Sequence, residues 1–290
     1  MNRTEPHMDI PATTTMGPVR LVAGDLDAMT AFYSRAIGLD VLERGGALVR
    51  LGAGGVPLVE LEGDAAAPAR PPRTTGLFHL ALLVPSRAEL ARALHRVSDA
   101  GARFSGASDH LVSEALYLDD PEGNGIEIYR DRPRDEWRRE ADGELAMATL
   151  PLDVEGVLSA LEPGGADEGM PAGTIMGHVH LQVRDTDEAE RFYADGAGFA
   201  TMVRGYPGAL FVAAGGYHHH LGLNTWGTRD APPPPAGARG LARFTVLLPA
   251  AADVDAVAGR LADAGHAVTA DADGVLVPDP SGNRMLLAAA

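Results

Sequence analysis

Three short stretches carry residues of the types that hold metals. Gly76-Leu77-Phe78-His79-Leu80 sets a histidine at the start of a strand-like run, and Glu114-Ala115-Leu116-Tyr117 leads through Asp120-Pro121-Glu122-Gly123-Asn124 to Ile126-Glu127-Ile128, which sets a carboxylate in another. Gly177-His178-Val179-His180-Leu181 adds two more histidines. Two neutral imidazoles and one carboxylate, with coordination positions left open, suit a non-haem Fe(II). The chain has no cysteine, so disulfides and thiolate sites are excluded and any metal must rest on His, Asp, Glu or Tyr. Side chains alternate along a strand. Glu127 therefore faces away from its apolar neighbours, and His178 and His180 share a face, so either could be the ligand. Taken singly, each has an ordinary reading: a hydrogen-bonded core histidine, or a glutamate facing solvent.

The elements that must position these residues repeat along the chain. Asp25, Phe32-Tyr33 and Gly38 recur as Asp185, Phe192-Tyr193 and Gly198, each in a strand-to-helix stretch. Asp25 and Asp185 are placed to cap the helix, and Gly38 and Gly198 to end it. Short strands are expected at Ala47–Leu51 and Leu58–Leu61, and at Ala209–Ala213 and His218–Leu223. A second pair shares its own grammar. Gly76–Pro85 matches Gly240–Pro249, each followed by a helix (Ala88–Ala100 and Val254–Ala264). Each closes with a turn and a strand, Asp120-Pro-Glu-Gly-Asn124 and Asp279-Pro-Ser-Gly-Asn283, which is turn chemistry. The expectation is an α+β fold of four βαβββ units. Units one and two form a domain over 17–132, and units three and four a second over 174–290. The span 133–173 reads as a connector with a short helix near Val154–Leu161 and a Gly/Pro-rich run at Pro163–Pro171. The tract Ala231–Pro235 reads as a stiff loop.

Composition narrows the function. At 290 residues and 46% apolar content, two globular domains can each bury a core. No apolar run is long enough to span a membrane, and Met1–Met16 lacks the order of a signal peptide, so a cytoplasmic location is expected. A formal charge of −16 argues against binding nucleic acid. The sequence leaves the oligomeric state open, a homo-oligomer included.

With Phe-Tyr on the helices and Asp-Pro-x-Gly-Asn before the last strands, the repeats resemble the vicinal oxygen chelate superfamily of glyoxalases, bleomycin-resistance proteins and extradiol ring-cleaving dioxygenases. The resemblance covers most of the chain except the connector. It implies curved sheets of paired βαβββ modules that cup a metal, with ligands from the first and last strands of units. At those positions His178 has Pro18 as its counterpart, His79 has Arg243 and Glu127 has Leu286. The counterparts cannot ligate, so one site is expected, where unit two pairs with unit three, on His79, His178 and Glu127. The extradiol enzymes place their histidine right after a Gly- or Asp-type residue at the strand start, which favours His178 as ligand and leaves His180 beside the site.

The runs Thr74–His79, Val112–Tyr117, Ile126–Pro133 and Gly215–His220 resemble bacterial catechol-2,3-dioxygenase-like and hydroquinone-specific enzymes. The likeness implies an acid–base histidine at His219, with His218 beside it; a one-residue slip in register would make it His220. It also implies roles for Tyr117, ten residues before Glu127, and for His110 on the preceding loop. As implied, the partners are a small aromatic diol and O2, the cofactor is Fe(II), and His219 takes a proton from the diol and later returns it, while Tyr117 and His110 or His180 hydrogen-bond the reacting oxygens. Two alternatives stand: a glyoxalase-like isomerase or lyase on Zn(II), Ni(II) or Mn(II), and a metal-free protein that sequesters a planar ligand.

Overall fold

The computed structural model describes residues 9–141, 143–161 and 169–290. Residues 1–8 of the N-terminal segment and 163–168 of the Gly/Pro-rich run lie outside the described residues. Unit one holds β1 (Thr15–Ala23), α1 (Leu26–Phe32), β2 (Asp40–Gly45), β3 (Leu48–Ala53) and β4 (Val56–Gly63). Unit two holds β5 (Gly76–Leu83), α2 (Arg87–Asp99), β6 (Phe104–Asp109), β7 (Ser113–Asp119) and β8 (Gly125–Asp131). The connector adds β9 (Leu150–Pro151) and α3 (Val154–Leu158). Unit three holds β10 (Ile175–Gln182), α4 (Thr186–Glu190), β11 (Ala200–Val203), β12 (Ala209–Ala213) and β13 (Leu221–Asn224). Unit four holds β14 (Gly240–Leu248), α5 (Ala251–Asp263), β15 (Thr269–Asp271), β16 (Gly274–Pro278) and β17 (Arg284–Ala289). The chain is thus α+β, with four βαβββ units in two curved mixed sheets.

The sheets take their strands from both halves of the chain. One runs β15-β16-β17-β14-β1-β4-β3-β2 and joins unit four to unit one; the other runs β11-β12-β13-β10-β5-β8-β7-β6-β9 and joins unit three to unit two. At each centre two first strands pair antiparallel, β1 with β14 and β5 with β10.

Local chemistry fixes the units. The Asp25 carboxylate accepts from Ala28 N (2.9 Å) and that of Asp185 from Glu188 N (2.8 Å), capping α1 and α4. Both helices loosen into a π-helical turn, Tyr33–Ile37 and Arg191–Gly196. The chain then leaves through Gly38 (φ 88°) and Gly198 (φ 92°), a left-handed conformation that glycine adopts without penalty. Each turn delivers a tyrosine to the next unit: Tyr33 Oη donates to Asp120 (3.1 Å) and Tyr193 Oη to Asp279 (2.9 Å). The same carboxylates accept from the backbone and side chain of Asn124 and Asn283, which closes both Asp-Pro-x-Gly-Asn turns. So the Phe-Tyr and turn motifs meet across units within each half, while the sheets join the halves.

Several boundaries shift by one to three residues from the sequence reading, α3 ending at Leu158 among them, and two of the shifts have a local cause. α5 begins at Ala251 rather than Val254, because the alanines after Pro249 are strong helix formers. β13 begins only at Leu221: Gly215 and Gly216 adopt positive φ (57° and 68°), and His218–His220 form an irregular approach to the strand instead of its start.

Strand alternation divides the second sheet cleanly. Leu80, Leu82, Leu116, Leu118, Ile126, Ile128, Val179 and Leu181 face the main core. His79, Tyr117, Glu127, His178 and His180 lie on the other face.

Candidate active site

Two rungs of side chains cross the second sheet. One reads His178, Ala81, Glu127, Tyr117 over β10, β5, β8 and β7. The next reads Gly222, His180, His79, Gly125 over β13, β10, β5 and β8. Small residues between large ones let the functional side chains lean together. A Cβ on Gly125 would lie 2.1 Å from Phe78 O, so only glycine fits beside His79 there.

The ring nitrogens of His79 and His178 and one Glu127 oxygen converge. His79 Nε2 is 2.9 Å and His178 Nε2 3.1 Å from Glu127 Oε2, and the two nitrogens are 3.3 Å apart. Ligand atoms at right angles on a divalent ion, each about 2.1 Å from it, would be spaced roughly 3.0 Å apart. All three residues are buried, and among the described residues they are the group whose ligand atoms meet in this way. The donor set fits a divalent metal. Burial works against charge on Glu127, but its contacts with His178 and His79 prevail and hold its carboxyl well below the usual carboxylate range. Burial pushes His178 down to about 4, so its ring is neutral, as a ligand must be.

His180 is one rung away and does not join that triangle. Its ring lines the cavity, packed edge-on to His79 and Phe78, with Nε2 buried and without a protein partner. Of the histidine run, His219 lines the cavity, its ring centroid 4.1 Å from that of His178. His218 is fully buried: its Nδ1 lies 2.8 Å from His219 Nδ1 and its Nε2 2.8 Å from Asp131 Oδ1. His220 turns away and accepts from Ala214 N, and burial pushes its pKa down to about 3. His110 opens the turn between β6 and β7, in which Leu111 takes φ 69°. It lies 2.7 Å from the Tyr117 hydroxyl through Nε2 and 2.7 Å from Ala148 O through Nδ1. Burial, then the charge on Glu127, raises the Tyr117 phenol well above its ordinary pKa.

His79, Glu127, His180, His219, His110 and Tyr117 line a cavity of about 230 Å³. Phe78 and Trp226 stand at its mouth, Phe211 on its wall, and Met147, Ala148 and Thr149 of the connector close one side. Thr149 and Tyr206 share a hydrogen bond of 2.8 Å there. The connector is thus part of the site, which its sequence did not signal. Asp131 was also missed. Its contact with His218 spans 87 residues and exists only because the two halves meet.

A family profile described as the Glyoxalase/Bleomycin resistance protein/Dioxygenase superfamily matches residues 15–128 and 175–285. A catechol-2,3-dioxygenase of Bacillus subtilis (strain 168) is 44% identical over 273 residues, covering 92% of this chain and 94% of that protein. Among solved structures, a putative dioxygenase from Bacillus subtilis superposes with a TM-score of 0.67 at 14% identity, covering 97% of this chain and 86% of that one. Glyoxalase I from Zea mays superposes with a TM-score of 0.60 at 15% identity, covering 95% and 92%. At those identities the two structures speak for the fold alone. The profile and the Bacillus relative carry the assignment: the chain belongs to the glyoxalase/bleomycin resistance protein/dioxygenase superfamily.

Proposed function

We propose that this protein is an Fe(II)-dependent extradiol dioxygenase that opens the ring of a catechol- or hydroquinone-type diol with O2. The observation that carries the reading is the convergence of His79, His178 and Glu127 beside a cavity with room for one substituted aromatic ring, which His79, Glu127 and His219 line. The identity to a catechol-2,3-dioxygenase over nearly the full length supports it. His79 Nε2, His178 Nε2 and Glu127 would hold the metal. When bound, Fe(II) supplies open coordination positions for diol and O2 and a positive charge that favours the deprotonated ring oxygen.

The protein's own groups handle the protons. The Asp131 carboxylate can only accept, so His218 Nε2 carries its hydrogen toward it. His218 Nδ1 is then an acceptor, and His219 Nδ1 donates to it. That leaves His219 Nε2 with a lone pair, ready to take a proton from the diol and to return it later. On the other side, Ala148 O fixes the proton of His110 on Nδ1, and His110 Nε2 accepts from the Tyr117 hydroxyl. The Tyr117 hydrogen thus points at His110, and its oxygen lone pairs stay available to the substrate. His180 Nε2 is a further group for a substrate oxygen.

Glu127 is the one carboxylate lining the cavity among the described residues, so the isomerase alternative lacks the second glutamate it would call on. The test is anaerobic reconstitution with Fe(II), addition of catechol, then admission of air, following O2 uptake and a coloured ring-opened product. Absence of uptake across catechols and hydroquinones, with Ni(II)- or Zn(II)-dependent isomerase activity instead, would overturn the reading.

A further inference from the structure

The charge of the cavity wall narrows the substrate. The chain contains no lysine, so every cationic side chain other than histidine is an arginine. None of the 15 residues lining the cavity is an arginine. Those on and just beyond β8 are engaged elsewhere: Arg130 pairs with Glu114, and Arg132 with Asp109 and Glu114. Arg134 stacks over Trp137 and Tyr217. The cavity histidines do not fill the gap. The His180 ring is packed among Phe78, Phe211 and Trp226, His219 Nδ1 is engaged with His218, whose other ring nitrogen meets Asp131, and both ring nitrogens of His110 are committed to Tyr117 and Ala148. The wall away from the ligand triad is instead mostly apolar and aromatic, with Phe78, Met147, Phe211 and Trp226, and its remaining polar side chains are neutral hydroxyls.

Size narrows it further. An apolar cavity of about 150 Å³ takes one benzene ring. At about 230 Å³ this one has room for a ring, its two hydroxyls and a small substituent.

We infer that the site takes a single-ring diol whose remaining substituents are small and uncharged, and that it excludes diols bearing a ring carboxylate. This rests on the dioxygenase reading above. On that reading, the two charges of the metal are balanced by Glu127 and by the substrate's own ring oxygen. A carboxylate on the ring would then be buried with no counter-charge, the costly case for an ion removed from water.

The experiment compares each acid with its methyl ester, which keeps the size and removes the charge. Catechol, 4-methylcatechol, 3,4-dihydroxybenzoate and its ester, and 3,4-dihydroxyphenylacetate and its ester are titrated anaerobically against the Fe(II)-loaded protein. Quenching of tryptophan fluorescence reads binding, since Trp226 stands at the cavity mouth. Turnover of the same panel is then measured in air. The esters should bind and turn over like 4-methylcatechol, and the acids roughly 100-fold worse in Kd and kcat/KM. Placing a cation on the connector wall with Met147→Arg should narrow the gap between acid and ester. Acids equal to their esters in the native protein would overturn the inference and leave the dioxygenase reading standing. Failure of every diol, catechol included, to bind or react would overturn that reading and this inference with it.

Discussion

Gly222→Ala is the sharpest test of how the site is packed. Gly222 faces His180 across the parallel pair of β13 and β10. A Cβ built there would lie 2.8 Å from His180 Cγ, 2.9 Å from Nδ1 and 3.0 Å from Cδ2. These are atoms at the root of the ring, so a small swing of a flexible tip cannot relieve the contact. The ring can retreat only into the cavity: His79, Phe78, Trp226 and Phe211 stand around it with centroids 4.9, 5.1, 5.5 and 5.8 Å away. Overpacking of this kind costs about 1–3 kcal/mol. Gly222 has no positive φ, so alanine meets no backbone strain and recovers about 0.4–1 kcal/mol from the unfolded chain. The net should be a loss of roughly 0.5–2 kcal/mol, or about 1–8 °C in Tm at the usual 2–4 °C per kcal/mol for chains of this order. The His180 ring should be driven into the cavity, and a displacement near 1 Å can cost on the order of 100-fold in rate. Metal stoichiometry should hold, because the clash falls on none of the three residues proposed to hold the metal. The assays are thermal melts, metal content and kcat/KM on catechol. Adding His180→Ala should restore most of the lost Tm, a non-additivity that marks direct contact. A variant with native kinetics and a raised Tm would refute this account of the packing.

Three further outcomes are expected. His219→Gln should keep iron and lower kcat about 10²–10⁴-fold, the usual size for a lost acid–base group, and unchanged turnover would remove His219 from the mechanism. Arg243→Ala should lower Tm, by roughly 1–3 kcal/mol of stability because Asp273 is half-exposed, without touching iron affinity; a metal titration beside the melt checks both. The metal-free protein should lose stability in mild acid. His178 and His220 are held down at about 4 and about 3, whereas in the unfolded chain they titrate near the ordinary value of about 6.5. Between those values the unfolded chain binds more protons, so stability present above pH 6.5 is lost as pH falls toward 4, by on the order of 1.4 kcal/mol per pH unit for each ring. A Tm flat from pH 7 down to 4.5 would contradict this.

Much of this was legible in the sequence, for identifiable reasons. The N-caps at Asp25 and Asp185, the stops at Gly38 and Gly198 and the Asp-Pro-x-Gly-Asn turns are local chemistry, repeated at a fixed offset. The inward faces of β5, β8 and β10 follow from alternation, which is why His79, Glu127 and His178 could be named together. What depended on strand pairing was not legible. The roles of Ala81, Gly125 and Gly222 appear only once register sets them between larger residues. Asp131 needs the β5–β10 seam to meet His218. His218–His220 were expected to start a strand, but two left-handed glycines hold them outside it and send alternate rings in different directions. Met147–Thr149 carry no periodicity, so nothing local marks them as a cavity wall.

The two sheets also explain why one site suffices. The rung that reads Gly222, His180, His79 in one sheet has a counterpart in the other, where Glu60 faces Arg20 and Arg20 faces Arg243. Arg20 and Arg50 both pair with Glu60, and Arg243 pairs with Asp271 and Asp273. Polar side chains thus fill the centre of both sheets, but they are resolved differently. In the first sheet opposite charges close on one another across β1, β4 and β14. In the second, histidines and a glutamate leave ligand atoms converging at the edge of an open cavity. Ion pairs satisfy themselves, whereas two neutral imidazoles beside one carboxylate leave lone pairs that a cation can complete. Both seams join strands from opposite halves of the chain, so the metal would strengthen a junction that its counterpart sheet makes with ion pairs. Metal binding should therefore raise the stability of the whole chain, because neither the β5 nor the β10 ligands can meet unless both halves are folded.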